Sequence, residues 1–191
     1  MKRCKDARGI LSRTGYRVTV RLVGRAEPRI AGAYALAFAT LLAHCVSSEA
    51  APSCPTAGAL VVVSTGDHRL TLCDAGRMIA SYRVALGRGG TKKRARGDDR
   101  TPLGAYAVGE PRASTRFGMF IPIAYPTAEQ RQQGYTGSEI GIHGPDRRLR
   151  WMGRANTWLD WTAGCVALSS DADVNAVASF VQRSRPSIVI R

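Results

Sequence analysis

A run of short, β-branched segments broken by tight turns constrains this chain most. Ala59-Leu60-Val61-Val62-Val63-Ser64 is apolar and valine-rich, Gly66-Asp67 supplies a turn, and Leu70-Thr71-Leu72-Cys73 alternates in character. Asp74-Ala75-Gly76 is a second turn, after which Met78 to Leu86 resumes the pattern. Branched side chains are stiff in a helix and pack well on a pleated surface. Two hairpins in succession predict an antiparallel meander.

The rest of the chain extends that frame. Gly87 to Gly97 is glycine- and charge-rich and reads as a loop; Thr101-Pro102-Leu103-Gly104 turns into a strand over Ala105–Val108. Phe117 to Ile123 carries Pro122, which suits an edge strand or an extended segment. Thr127 with Gln130 forms a capping box, Gly134 stops that short helix, and the helix is expected to form one wall of the cleft. Ser170 caps a second helix, in which Val174, Val177, Ala178 and Val181 recur at helical spacing. Asp171 and Asp173 suit its positive end, Arg183 and Arg185 its negative end, and Pro186 ends it. Ser187–Ile190 is a final strand. The fold class expected is mainly β, with one long C-terminal helix and one short helix.

The first fifty residues have a different character. Nine Lys or Arg lie between Met1 and Arg29, against Asp6 and Glu27, and Ile30 to Val46 follows without a charge. A basic segment over residues 1–29, an apolar segment over 30–46 and a Ser48-x-Ala50 site describe a secretory signal peptide cleaved after Ala50. A retained membrane tether is the alternative, although 17 residues is short for a span of about 20. His44 makes Leu42-Ala43-His44-Cys45 a poor lipidation box. Residues 51–58 read as a short linker and 59–191 as one domain, about 140 residues being enough to bury a core.

Export changes the cysteine arithmetic. Cys54, Cys73 and Cys165 remain after residue 50, an odd number in an oxidising compartment. Cys165 has a chemical context, which leaves Cys54 and Cys73 either bridged or both reduced.

That context is the stretch from Glu139 to Ser169. His143 stands between Gly141 and Gly144, and Cys165 follows Gly164 twenty-two residues later. A thiolate is the reactive form of cysteine, and a neighbouring imidazole makes it available near neutral pH. A lone His and a lone Cys are, by themselves, more often a structural histidine and an inert buried thiol. The surrounding residues change that balance. Ile140-Gly141-Ile142-His143-Gly144, followed by Thr162-Ala163-Gly164-Cys165-Val166-Ala167-Leu168, resembles the signature of the L,D-transpeptidase catalytic domain (YkuD-like) family. Gly97-Asp98-Asp99-Arg100-Thr101-Pro102-Leu103-Gly104-Ala105-Tyr106 resembles the same family's upstream block. Two blocks in the right order are far more specific than one.

The resemblance implies an L,D-transpeptidase-type β-sandwich over 59–191, with Cys165 as nucleophile and His143 as its base. Gly144 would orient the imidazole through its backbone, and Thr162 and Gly164 would belong to the orienting or oxyanion-holding turn. It implies acyl transfer on peptidoglycan stem peptides in the periplasm or cell wall, with a second stem, a wall-linked protein or water as acceptor. A hydrolase of the same fold and a non-catalytic peptidoglycan-binding domain are the competing readings. Two positions depart from the pattern: Ala163 where many members have a second His, and Ala167 where many have Arg.

The formal net charge of +14 raises the question of nucleic acid. The one dense cluster, Lys92-Lys93-Arg94-Ala95-Arg96, has no interleaved aromatics, and an exported chain meets acidic wall peptides instead. That cluster reads equally as a solvated loop or as substrate-binding. His143 and Cys165 lack two further ligands for a metal, and no phosphate loop or dinucleotide fingerprint is present, so no cofactor is expected. Trp151, Trp158 and Trp161 lie in the insert between the two blocks, either capping the cleft or packing beneath it. His68 falls in the first turn and reads as surface without a role.

Overall fold

The structure is a computed structural model that describes residues 54–191; the expected signal segment, residues 1–50, lies outside the described residues. The meander at its start consists of β1 (Ala59–Ser64), β2 (Arg69–Asp74) and β3 (Arg77–Ala85), paired antiparallel in sequence order. Their alternation sets Val61, Val63, Leu70 and Leu72 into one core, each at most 2% exposed. Burying side chains of this kind contributes about 1.5–3 kcal/mol apiece.

Beyond the meander lie β4 (Gly104–Ala107), β5 (Arg112–Ser114), β6 (Gly118–Pro122), β7 (Gly141–His143), β8 (Val166–Leu168) and β9 (Ser187–Ile190). The strand order is β4-β9-β1-β2-β3-β8-β7-β6-β5. β3 is the hinge of this arrangement. Its body pairs with β2, and its last residues, Val84 and Ala85, pair with Leu168 and Ala167 of β8. One half of the frame therefore passes into the other through a single nine-residue strand. The expected mainly β fold is what forms.

The long helix α2 runs over Asp171–Ser184. The Ser170 hydroxyl accepts from the Asp173 amide at its start, and Arg185 closes it with a left-handed φ of 43°. Its buried face is Val174, Val177, Ala178, Phe180 and Val181. The short helix α1, Ala128–Gln132, has both halves of the Thr127/Gln130 capping box. It buries none of its residues.

Cys54 and Cys73 form a disulfide across 19 residues. Closing a loop of that size stabilises the folded chain by about 3 kcal/mol on the chain-entropy account. Residues 51–191 should therefore titrate with one thiol before reduction and three after denaturing reduction. Three thiols in the unreduced protein would contradict the bridge.

Candidate active site

Strands β7 and β8 are parallel neighbours, with Ile142 opposite Val166 and His143 opposite Ala167. Side chains alternate along a strand, so one face of this pair presents Ala167, Gly141 and His143, and Cys165 directly precedes β8. The twenty-two-residue separation of His143 and Cys165 is thereby reduced to neighbouring segments. Both line one cavity of about 410 Å³, together with Phe117, Phe120, Trp161, Ala163 and Thr162.

The imidazole is held on every side. His143 is 1% exposed, and its ring stacks on Phe117 with centroids 3.9 Å apart. Trp161 lies at 5.7 Å on a tilted plane, its indole nitrogen donating to the Asn156 carbonyl. His143 Nδ1 is 2.7 Å from the Gly144 carbonyl oxygen. A carbonyl only accepts, so Nδ1 carries the hydrogen and Nε2 keeps the lone pair. Gly144 is required here. A Cβ on it would come within 2.6 Å of the Phe117 carbonyl and 3.1 Å of Val174. Any side chain would displace the carbonyl that fixes the ring.

The turn before Cys165 is equally constrained. Gly164 has φ of 122°, and a Cβ there would meet the Arg100 carbonyl at 2.5 Å. Thr162, 3% exposed, donates its hydroxyl to the Cys165 carbonyl at 2.7 Å and accepts from the Gly164 amide at 3.1 Å. The Gly164 N–H is thus spent within the turn, which leaves the Cys165 amide as the nearer donor for a reacting carbonyl. Thr162 shapes the turn from beneath.

The upstream Gly-Asp block supplies the backing for that turn. Asp98 accepts from the amides of Arg94, Ala95 and Arg100 and pairs with Lys93 Nζ at 2.7 Å. Burial alone would raise its carboxyl, but the Lys93 ammonium and these amides hold it well below the usual carboxylate range. Thr101, fully buried, accepts from the Gly87 amide at 2.8 Å. The loop so tied places the Arg100 carbonyl against Gly164. Lys93, read from sequence as part of a solvated or substrate-binding cluster, is 4% exposed and belongs to this knot. A well-placed carboxylate partner overrides the surface preference of lysine.

The thiol and the imidazole are both neutral at rest. Burial pushes Cys165 up to about 11, against the opposing pull of the Gly141 amide and of Lys93 and Arg116. Burial also drives His143 down to about 4, although the Gly144 carbonyl favours its charged form. The sulfur is half-buried and donates to the Glu139 carbonyl at 3.5 Å, not to the imidazole. If His143 is the base, the acid limb of kcat/KM against pH should fall near 4, below the 6.5 of an ordinary histidine. An acid limb near 6.5 in the free enzyme would contradict this environment.

Three arginines, which no local motif marks, also line the cavity: Arg88, Arg112 and Arg116. Each has a carboxylate partner, Asp99, Glu139 and Asp146 respectively. A second cavity of about 350 Å³ lies on the other side of the sulfur, with Lys93, Arg96 and Asp99 in its wall. Glu139, Ala163 and Cys165 line both.

Other expectations need correction. Helix α1 does not wall this site: Thr127, Ala128 and Arg131 line a separate groove with Tyr106 and Tyr125. Of the tryptophans only Trp161 reaches the cavity, while Trp151 and Trp158 are exposed. His68 is not a free surface residue. Its Nε2 lies 3.1 Å from Asp160, whose other oxygen accepts from the Leu86 amide, which ties the first turn to the insert. Among the described residues no group of three or more His, Cys, Asp or Glu is arranged to hold a metal ion.

These features define a class: a mainly β protein whose parallel strand pair sets a thiol and a tautomer-fixed imidazole in one cavity. Residues 58–190 match the family model of the L,D-transpeptidase catalytic domain (YkuD), and the chain belongs to that family. Among solved structures it is similar to the helical cell shape determining protein Pgp2 from Campylobacter jejuni. That match has 25% identity and a TM-score of 0.59, covering 70% of this chain and 47% of the other. Bd1075 from Bdellovibrio bacteriovorus has the same fold at 20% identity and a TM-score of 0.52, covering 71% and 48%. So has an L,D-transpeptidase from Mycobacterium smegmatis, at 12% and 0.50, covering 71% and 59%. The chain thus spans about half the length of the first of these relatives. No curated protein matches it.

Proposed function

We propose that the chain is an exported, peptidoglycan-modifying acyltransferase that acts through a thioester on Cys165. The observation that carries this reading is that Cys165 and His143 line one cavity, with Nδ1 committed to Gly144. In the proposed reaction, Cys165 Sγ attacks the carbonyl carbon of the amide joining diaminopimelate, through its L-centre, to the terminal D-Ala of a stem. His143 Nε2 takes the thiol proton as the sulfur attacks. The C–N bond then breaks, the imidazolium returns the proton to the departing D-Ala amine, and a thioester remains. An acceptor amine attacks that thioester, and its proton passes through His143 back to the sulfur.

Because both groups are neutral at rest, the imidazole acts as a base during attack and does not hold a preformed thiolate. The Cys165 amide is the proposed oxyanion donor, a contribution usually worth about 3 kcal/mol. Residues 1–50 are proposed as the export signal, which places the domain beside its polymer. The Campylobacter relative is a helical cell shape determining protein, which supports a wall substrate.

Water in place of the amine would make the reaction a hydrolysis. Incubation of muropeptides with residues 51–191, followed by mass spectrometry, separates these outcomes. Cross-linked dimers mean transfer to an amine, and tripeptides with free D-Ala mean hydrolysis. Unchanged material would contradict the enzymatic reading.

A further inference from the structure

The three cavity arginines are not equivalent. Arg116 donates from Nε to Asp146 at 2.7 Å, and Asp146 is 7% exposed at its side chain and also accepts from the Arg148 amide. Arg88 grips Asp99 through two nitrogens, at 2.9 and 2.6 Å, and Asp99 is largely covered. Both carboxylates are held in place. Arg112 pairs instead with Glu139 at 2.5 Å, and that carboxylate is 73% exposed. An ion pair this open to water stabilises little, so another carboxylate can take its place at small cost.

Arg112 does not depend on Glu139 for its position. Its guanidinium lies over the Phe120 ring at 4.8 Å from the centroid, and Phe120 is itself a cavity wall. Glu139 is the more unusual partner. It is a non-glycine residue at φ of 57°, and this conformation turns its carbonyl toward the Cys165 sulfur while its carboxylate reaches Arg112. A single residue thus places a negative charge next to the thiol and occupies the one cation whose partner is free to leave.

We propose that Arg112 is the carboxylate-binding residue of this cavity, and that Glu139 is a resident stand-in which a substrate carboxylate near the scissile amide displaces. The inference rests on the stem-peptide reading above, and it names a specificity residue for it.

Stem tetrapeptides offer two carboxylates next to the scissile amide, on the terminal D-Ala and on diaminopimelate. Release of D-Ala should be measured from three peptides: unmodified, amidated at D-Ala, and amidated at diaminopimelate. Arg112→Gln should raise KM for the unmodified peptide about tenfold or more, as expected for loss of a charge-assisted contact. It should have less than a twofold effect on whichever amide lacks the bound carboxylate, and that amide identifies the source. Arg112→Lys should retain part of the preference, and Glu139→Gln should lower KM severalfold. Both positions are exposed, and thermal melts should match wild type. An equal effect of Arg112→Gln on all three peptides, or a raised KM in Glu139→Gln, would overturn this inference alone. If wild-type protein modifies none of the three, the stem-peptide reading fails and this one fails with it.

Discussion

Cys165→Ala should reduce turnover of stem peptides by at least about 10⁴-fold, the scale seen when a nucleophile is removed from a working constellation. The fold should survive. The side chain lost is small and half-buried, and the turn around it is held by Thr162, Gly164 and the Arg100 carbonyl rather than by the thiol. The change in stability should stay within about 1 kcal/mol. Turnover near the wild-type rate in a folded Cys165→Ala protein would remove the thioester from the account.

His143→Ala should lower kcat by roughly 10²–10⁴-fold, the range of general acid–base assistance. This ring is packed, so the alanine leaves a void beside Phe117. His143→Gln keeps more of the volume and should show the same loss, which separates a chemical role from a packing one. Stability should depend on pH as well. The folded-state pKa of His143 is depressed to about 4, so the unfolded chain takes up a proton first as pH falls. Wild-type protein should therefore lose stability between about 6.5 and 4, on the order of 3 kcal/mol, and His143→Gln should lose less. A His143→Gln protein within a few-fold of wild type, with the same acid limb, would make His143 structural.

What could be read from the residues alone follows a physical divide. The meander, both helix caps and the buried stripe of α2 depend on near neighbours in sequence, and they form where expected. That Cys165 and His143 share one cavity was legible because two glycine-flanked blocks carry them. The features that tune the site were not. Phe117 on the imidazole, Arg112 with Glu139, and His68 with Asp160 join residues on different elements, and nothing local marks any one of them. Lys93 misled because a charge run looks solvated until the Asp98 carboxylate answers it. Helix α1 misled for the opposite reason: its caps fix where it begins, but not the surface it lies on.

The central claim is that Cys165 becomes acylated by attacking a strained or activated amide. Intact-mass measurement after incubation of residues 51–191 with a carbapenem tests it directly. The sulfur would attack the lactam carbonyl, the ring C–N bond would open, and the nitrogen would take the proton, so the protein should gain the full mass of one inhibitor. The gain should map to Cys165, be absent from Cys165→Ala and form more slowly in His143→Gln. Folded wild-type protein whose Cys165 titrates as a free thiol yet gains no mass, or an adduct that persists in Cys165→Ala, would contradict the account.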